Sequence, residues 1–232
     1  VLAAAASLAA CDWTGDAVDA KPARPASVPS GAPLATAVAP STSASAVAQA
    51  IDAAVFVAAP DEATMSRMLA KAQILLDRAR FSPGVIDGQK GENLRQAIAA
   101  FERKNGLDGD GELDPATWTA LVAASPGPVM QDYTITEADV KGPFIGKVPT
   151  KYEDMAKLDV LGYADAAEGL AEKFHMDADW LKTLNPSASF AAGDVIVVAR
   201  PREGALPPVA RIEVDKAQRE QRAYGENDRL LA

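Results

Sequence analysis

Only a few side chains in this 232-residue chain are of types that could do chemistry. A cysteine nucleophile needs a neighbouring imidazole that keeps it as a thiolate, and a zinc site needs several His, Cys or carboxylate ligands. Cys11 is the single cysteine and His175 the single histidine. The sequence therefore predicts no thiol catalyst and no zinc site. His175 lies near a predicted helix end, where the helix dipole favours a cation.

A short acidic run, Asp108, Asp110 and Glu112, has the alternating carboxylates of a calcium loop. Such a loop also needs Gly at its sixth position and a bidentate Glu at its twelfth. Those positions hold Leu113 and Thr119. We therefore expect the carboxylates to stabilise turns, and we predict no catalytic residue, no metal and no cofactor within the chain.

The cysteine itself follows an uncharged, Ala- and Leu-rich run that begins at Val1. The residues Leu8, Ala9, Ala10 and Cys11 resemble a bacterial lipobox, in which the cysteine receives a diacylglyceryl group. The run is too short to span a bilayer and reads as the end of a secretory leader, so we expect the chain to start inside its own leader. The alternative is a buried thiol in an N-terminal helix.

The resemblance implies a protein of the periplasm of a Gram-negative bacterium, anchored through Cys11 to the inner or outer membrane. Asp12 resembles an inner-membrane retention signal. The net charge of −9 argues against a nucleic-acid partner. Residues 12–60 are rich in Ala, Pro and Ser, and we predict a disordered linker there, with a local helix possible near residues 46 to 57.

Three amphipathic helices are predicted over residues 61–125. The first begins near Asp61, the second covers residues 92 to 104 and ends at Gly106, and the third begins at Asp114 and Pro115. An Asp-Gly turn precedes the second helix, and another precedes the third, as an internal pseudo-repeat. The sequence therefore predicts a small three-helix bundle.

Residues 63 to 123 resemble the peptidoglycan-binding domain of cell-wall enzymes. The resemblance implies binding to peptidoglycan. We interpret Phe101 and Trp118 as core residues rather than sugar-stacking ones. The positions that match the family pattern are Gln73, Leu76, Gly84, Asp87, Gly88, Gly91, Ala97, Ile98, Phe101, Glu102, Gly106, Leu107, Asp110, Gly111, Thr117 and Leu121.

Residues 126–202 follow the order strand, helix, helix, strand and resemble a divergent lysin motif (LysM). The matching positions are Leu170, Ala171, Phe174, Leu181, Leu184, Asn185, Pro186, Gly193 and Ile196. In that family the loops flanking the helices bind sugar. The resemblance implies glycan contacts from Asn185, Ser187, Phe190 and Gly193. The alternative is a module that only acts as a spacer.

Residues 209–232 alternate as two short strands and resemble the opening strands of an L,D-transpeptidase catalytic domain, with Val214, Asp215, Lys216 and Tyr224 matching. That family's nucleophile lies in a Ser-His-Gly-Cys-(Ile/Val)-Arg segment, and none of it is present in this chain. The resemblance therefore implies a parent acyltransferase whose catalytic residues lie beyond Ala232.

Together these features predict a mainly α fold with small β elements: a three-helix peptidoglycan-binding bundle, a βααβ LysM-like module and a truncated β-hairpin. The implied function is the wall-binding, membrane-anchored N-terminal region of a cell-wall L,D-transpeptidase. Two alternatives stay open, a non-catalytic peptidoglycan-binding envelope lipoprotein and the targeting region of a cell-wall hydrolase.

Overall fold

The structure, a computed structural model, describes residues 42–147, 149–158, 162–202, 204 and 207–232. Cys11, Asp12 and the predicted linker up to residue 41 lie outside this range. The described part is mainly helical with two small antiparallel sheets, which confirms the predicted fold class. No helix in these residues is long and apolar enough to cross a membrane. The elements are α1 (Thr42–Asp52), α2 (Glu62–Arg78), α3 (Glu92–Asn105), α4 (Pro115–Ala124), β1 (Met130–Thr134), α5 (Tyr152–Met155), α6 (Ala166–Lys173), α7 (Ala178–Leu184), β2 (Val195–Ala199), β3 (Arg211–Asp215) and β4 (Glu220–Tyr224).

Helix α1 lies at the C-terminal end of the predicted linker and overlaps the local helix that the sequence allowed near residues 46 to 57. Ile51 is 2% exposed, and the Asp52 carboxylate accepts the backbone N–H groups of Val129 and Met130 at 2.6 and 3.0 Å. On α2, the Lys71 ammonium donates to the carbonyl of Asp52 at 2.7 Å. The segment is free of proline and rich in alanine, so it can form a helix, and burial against distant elements stabilises it.

Helices α2, α3 and α4 form the predicted bundle, and local capping groups fix their ends. The Asp61 and Asp114 carboxylates accept the N–H groups of Thr64 and Thr117, each at 2.7 Å. Gly106 ends α3 with φ +72°, a left-handed cap. Buried apolar side chains fill the space between the three helices; among them are Leu69, Leu76, Leu94, Ile98, Phe101, Trp118 and Leu121. Phe101 and Trp118 are therefore core residues.

Strands β1 and β2 pair antiparallel, from Met130 opposite Ala199 to Thr134 opposite Val195, with α6 and α7 between them in the chain. A capping box begins α6, in which the Asp165 carboxylate accepts the N–H of Glu168 at 2.8 Å. The Glu168 carboxylate in turn accepts the N–H of Ala164. The βααβ arrangement therefore forms although a long segment, which contains α5, separates β1 from α6.

The bundle and the βααβ unit share one hydrophobic core. Ile86, in the loop before α3, is fully buried. Its N–H donates to the His175 carbonyl at 2.8 Å, and its carbonyl accepts the N–H of Asp177 at 3.0 Å. The predicted boundary between residues 125 and 126 therefore separates two sequence motifs that share one hydrophobic core.

The C-terminal hairpin, β3 and β4, pairs from Arg211 opposite Tyr224 to Asp215 opposite Glu220. It contacts the bundle through an ion pair between Glu220 and Arg103 of α3. Ile212 and Val214 are 58% and 63% exposed. Because these two side chains are two residues apart on one strand, they form an exposed apolar face.

Candidate functional site

The first Asp-Gly loop of the bundle is held by one buried side chain, Gln73 of α2. Its amide oxygen accepts the N–H groups of Asp87 and Gly88 at 3.2 and 2.8 Å, and its amide nitrogen donates to the Asp87 carboxylate at 2.8 Å. Gly88 has φ +68°, and a Cβ there would lie 2.7 Å from the Ser66 hydroxyl oxygen. Glycine suits this position because its φ is left-handed and because a Cβ would displace the Ser66 hydroxyl and crowd the Ser66 carbonyl oxygen at 3.0 Å.

The second Asp-Gly loop is held in a similar way, by the buried side chain of Glu102 of α3. One carboxylate oxygen accepts the N–H of Gly111 at 2.9 Å, and the other accepts the hydroxyl of Thr117 at 2.6 Å. A Cβ on Gly111, which has φ +80°, would lie 2.5 Å from the Arg95 carbonyl oxygen. The pseudo-repeat therefore has a physical basis: each of the first two bundle helices carries a buried polar side chain that fixes the loop before the next helix.

One cleft of about 530 Å³ lies beside α2 and α3 and has an apolar floor. Its rim includes Arg95 and Glu92, which are joined at 2.9 Å. Hydrogen bonds from Arg95 and Gln96 lower the pKa of the exposed Glu92 carboxyl to about 2, so it stays ionised at neutral pH. An apolar floor with a polar rim suits the C–H face and the hydroxyls of a sugar ring. We call this the apolar cleft, and its apolar lining consists of Phe56, Val57, Ala58, Pro60, Met65, Met68, Leu69, Leu94, Ile98 and Leu113.

A second cleft of about 540 Å³ lies between the bundle and the hairpin, and most of its charged side chains are basic. Phe81 forms part of its wall, and its ring packs edge-on against Phe101 at 5.6 Å between centroids. The Lys104 ammonium lies 5.3 Å from the centre of the Phe81 ring. We call this the basic cleft, and its charged lining consists of Arg80, Arg103, Lys104, Arg219, Glu220 and Arg222.

The four residues predicted to contact glycan lie between α7 and β2, but they are not equally exposed to solvent. Asn185 is buried; its amide nitrogen donates to the carbonyls of Leu181 and Val197 at 3.0 and 2.8 Å, and its oxygen accepts the Val197 N–H at 2.7 Å. The Asn185 amide is therefore used within the fold, and glycan contact by Asn185 stays a prediction.

The other three predicted glycan residues keep part of their surface open. Ser187 is exposed, and Phe190 is half-buried against the core with φ +56°. Gly193 has φ +93°, and its N–H donates to the Ile135 carbonyl at 2.8 Å. Glycan contact by these three residues stays a prediction.

His175 lies just after α6 and forms a hydrogen bond between its Nδ1 and the Asp77 carboxylate at 2.8 Å. Among the residues that the structure describes, no group of three or more His, Cys, Asp or Glu side chains could hold a metal ion. His175 thus links the βααβ unit to α2. Sequence reasoning missed both clefts and this contact, because each joins residues far apart in the chain.

A match to a known family lies within the bundle. Residues 66–121 match the family model of a peptidoglycan binding domain. The matched range runs from α2 to α4 and contains Gln73, Glu102 and both loops that these side chains hold. No curated protein matches the chain. The chain therefore contains a peptidoglycan-binding domain at residues 66–121.

Proposed function

We propose that this chain is the wall-binding region of a lipid-anchored envelope L,D-transpeptidase. The observation that carries the wall-binding role is the family match over residues 66–121, on a bundle whose two loops are fixed by Gln73 and Glu102. A domain of this kind supports peptidoglycan as the partner. The apolar cleft beside α2 and α3 is the surface we assign to the sugar rings.

The transpeptidase part of the proposal rests on the hairpin of β3 and β4. A two-stranded hairpin is marginally stable alone and gains stability when further strands or helices cover it. Ile212 and Val214 present an exposed apolar face of the kind that such packing would bury. Since these strands also resemble the start of an L,D-transpeptidase domain, we assign that face to the sheet of a following catalytic domain.

In the intact enzyme, a cysteine thiolate beyond this chain would attack the carbonyl of a peptide stem and form a thioester as the terminal amino acid leaves. The amine of a second stem would then attack the thioester and release the thiol. Cys11 is assigned to lipid attachment in this scheme. The role of the present chain is to hold the enzyme on its polymeric substrate, which raises the local concentration of stems at the catalytic site.

A second candidate is a non-catalytic lipoprotein that links membrane and wall. The contact that favours it is the ion pair between Arg103 and Glu220, because a hairpin that is already joined to the bundle does not need a following domain to hold it. The targeting region of a wall hydrolase is the third alternative from the sequence, and no feature of the described residues favours it.

Co-sedimentation of the full 232-residue chain with purified sacculi tests the wall-binding role. We expect enrichment in the pellet over an unrelated protein of similar acidity, and no enrichment with cellulose. Equal pelleting with sacculi and cellulose would contradict peptidoglycan recognition. Reading the coding DNA in frame beyond Ala232 tests the transpeptidase part: the proposal expects a Ser-His-Gly-Cys-x-Arg segment, and a stop codon would favour the non-catalytic lipoprotein.

A further inference from the structure

The charge of the basic cleft is opposite to that of the chain. The protein has a net charge of −9, yet five basic side chains and one acidic side chain line this cleft. Side chains from three separate segments supply the basic groups: the turn after α2, the C-terminal end of α3 and the hairpin. A concentration of positive charge in a concave site attracts anionic ligands.

The acidic residue of the cleft is already shared by two of its arginines. Glu220 pairs with Arg103 and with Arg222. Arg80 donates to a neutral acceptor, the Leu231 carbonyl, at 3.3 Å. Lys104 lies over the Phe81 ring. The charges of Arg80 and Lys104 are therefore not neutralised by Glu220.

The surroundings of Arg80 add further positive charge. Burial is the largest cause that lowers the pKa of the Arg80 guanidinium, and the positive charges of Arg202 and Arg229 lower it further. The Nη1 atom of Arg202 is buried and has no hydrogen-bond partner within the described residues. A nearby carboxylate, Asp77, accepts the backbone N–H of Arg202 at 3.4 Å rather than its guanidinium. Of these three arginines, Arg80 lines the basic cleft, and an anion bound there would offset the repulsion that Arg80 experiences.

The remaining walls of the basic cleft suit a peptide rather than a simple ion. Asn93, Gln96 and Gln221 contribute side-chain amides, which can donate to and accept from peptide groups. Phe81 contributes an aromatic surface held in place by Phe101. The cleft volume of about 540 Å³ lies within the range of ligand sites, roughly 300 to 1,000 Å³.

We propose that the basic cleft binds a short peptide with several carboxylates, namely the stem peptide of peptidoglycan. This inference rests on the proposed wall-binding function and extends it by assigning the peptide to a different cleft from the sugar. Arginine guanidinium groups hold carboxylates with paired hydrogen bonds. Glycan strands without stems carry no peptide carboxylates and would not engage this cleft.

A titration of the full chain with a soluble stem tetrapeptide, L-Ala-D-Glu-meso-diaminopimelate-D-Ala, tests the inference by calorimetry. The comparison ligand is the same tetrapeptide with its carboxylates amidated. We expect saturable binding of the acidic peptide, weakened by added salt, and at least tenfold weaker binding of the amidated form. Equal affinity for both peptides, or no binding of either at millimolar concentration, would overturn the assignment.

A charge-matched pair of double variants locates the site. Lys104→Gln with Arg219→Gln removes two exposed charges from the basic cleft, while Lys141→Gln with Lys151→Gln removes two exposed charges outside it. We expect about a tenfold loss of tetrapeptide affinity in the first variant, as two partly exposed ion pairs would give, and less than a twofold change in the second. Equal effects of the two variants would overturn the site.

Sedimentation with intact sacculi and with amidase-stripped glycan separates this inference from the wall-binding proposal. One outcome is that the wild-type chain pellets equally with both polymers and that the Lys104→Gln, Arg219→Gln variant pellets as well as the wild type. That result would leave wall binding intact and overturn the peptide site. Pelleting that falls with stripped glycan or with the variant supports the peptide site. Wild-type chain that pellets with neither polymer would overturn wall binding and this ligand together.

Discussion

Replacing Glu102 by leucine tests the physical basis of the bundle's pseudo-repeat. The Glu102 side chain is 2% exposed and accepts two hydrogen bonds, from the Gly111 N–H and the Thr117 hydroxyl. Hydrogen bonds to a charged group contribute about 1.5 to 3 kcal/mol each. Leucine leaves both buried donors without an acceptor, and its added apolar contact offsets part of the loss. We expect the free energy of unfolding to fall by about 3 to 4 kcal/mol.

The loss can be measured by urea and thermal unfolding of the full chain. For a folded unit of this size, each kcal/mol lowers Tm by about 2 to 4 °C, so the expected drop is roughly 10 °C. Glu102→Gln should cost less, about 1 to 2 kcal/mol, because its amide keeps one acceptor and can donate to the Thr117 oxygen. Glu112→Gln, at an exposed position beside the same loop, is the matched control. A loss below 1 kcal/mol in Glu102→Leu, or an equal loss in the control, would refute the reasoning.

Three further predictions concern other parts of the chain. Asp52→Ala should lower the free energy of unfolding by about 1 to 3 kcal/mol in urea titrations, because the amides of Val129 and Met130 lose their acceptor; an unchanged midpoint would contradict a stabilising role for Asp52. Burial raises the pKa of Asp139, but hydrogen bonds from Lys173, Tyr133 and a threonine outweigh it and hold that pKa below its ordinary value. The stability that this carboxylate contributes is therefore complete above about pH 4 and is lost as the pH falls further. Between pH 5 and pH 2, Tm should fall more in the wild type than in Asp139→Asn. An equal fall of Tm in the two proteins would contradict this prediction. Cys11→Ser should abolish labelling by a clickable fatty acid in cells that express the chain with its start restored, and persistent labelling would rule out the lipid anchor.

Local signals in the sequence were sufficient to predict the helices of the bundle. Asp61 and Asp114 carry side-chain acceptors at the helix starts, and Gly106 ends α3 in a conformation that glycine adopts readily. These effects act within four residues, so they can be read without knowledge of the fold. The positions of Phe101 and Trp118 in the core followed from helical periodicity for the same reason.

The sequence could not show features that depend on contacts between distant segments. For helix α1 the sequence indicated only that a local helix was possible near residues 46 to 57, and it did not show that Ile51 is buried or that Asp52 accepts the N–H groups of Val129 and Met130. The basic cleft joins Arg80, Lys104 and Arg219 across more than a hundred residues of chain. Such juxtapositions arise from tertiary packing, which periodicity does not encode.

Sequence alone cannot distinguish a free amide from a buried one, as Asn185 illustrates; its contact with glycan stays a prediction. The pair Asn185-Pro186 indicates a turn, and turns often lie at the surface. Here the turn closes over the sheet, and the amide replaces a strand partner for Val197. The hydrogen bonds of this buried amide stabilise the loop between α7 and β2.

A binding isotherm of the full chain on purified sacculi, with and without soluble muropeptides as competitor, tests the central claim most directly. The account predicts saturable binding that muropeptides displace in a concentration-dependent way and that Glu102→Leu weakens under conditions that unfold its bundle. Binding that does not saturate, or that muropeptides leave unchanged while an acidic control protein binds equally well, would contradict peptidoglycan recognition by this chain.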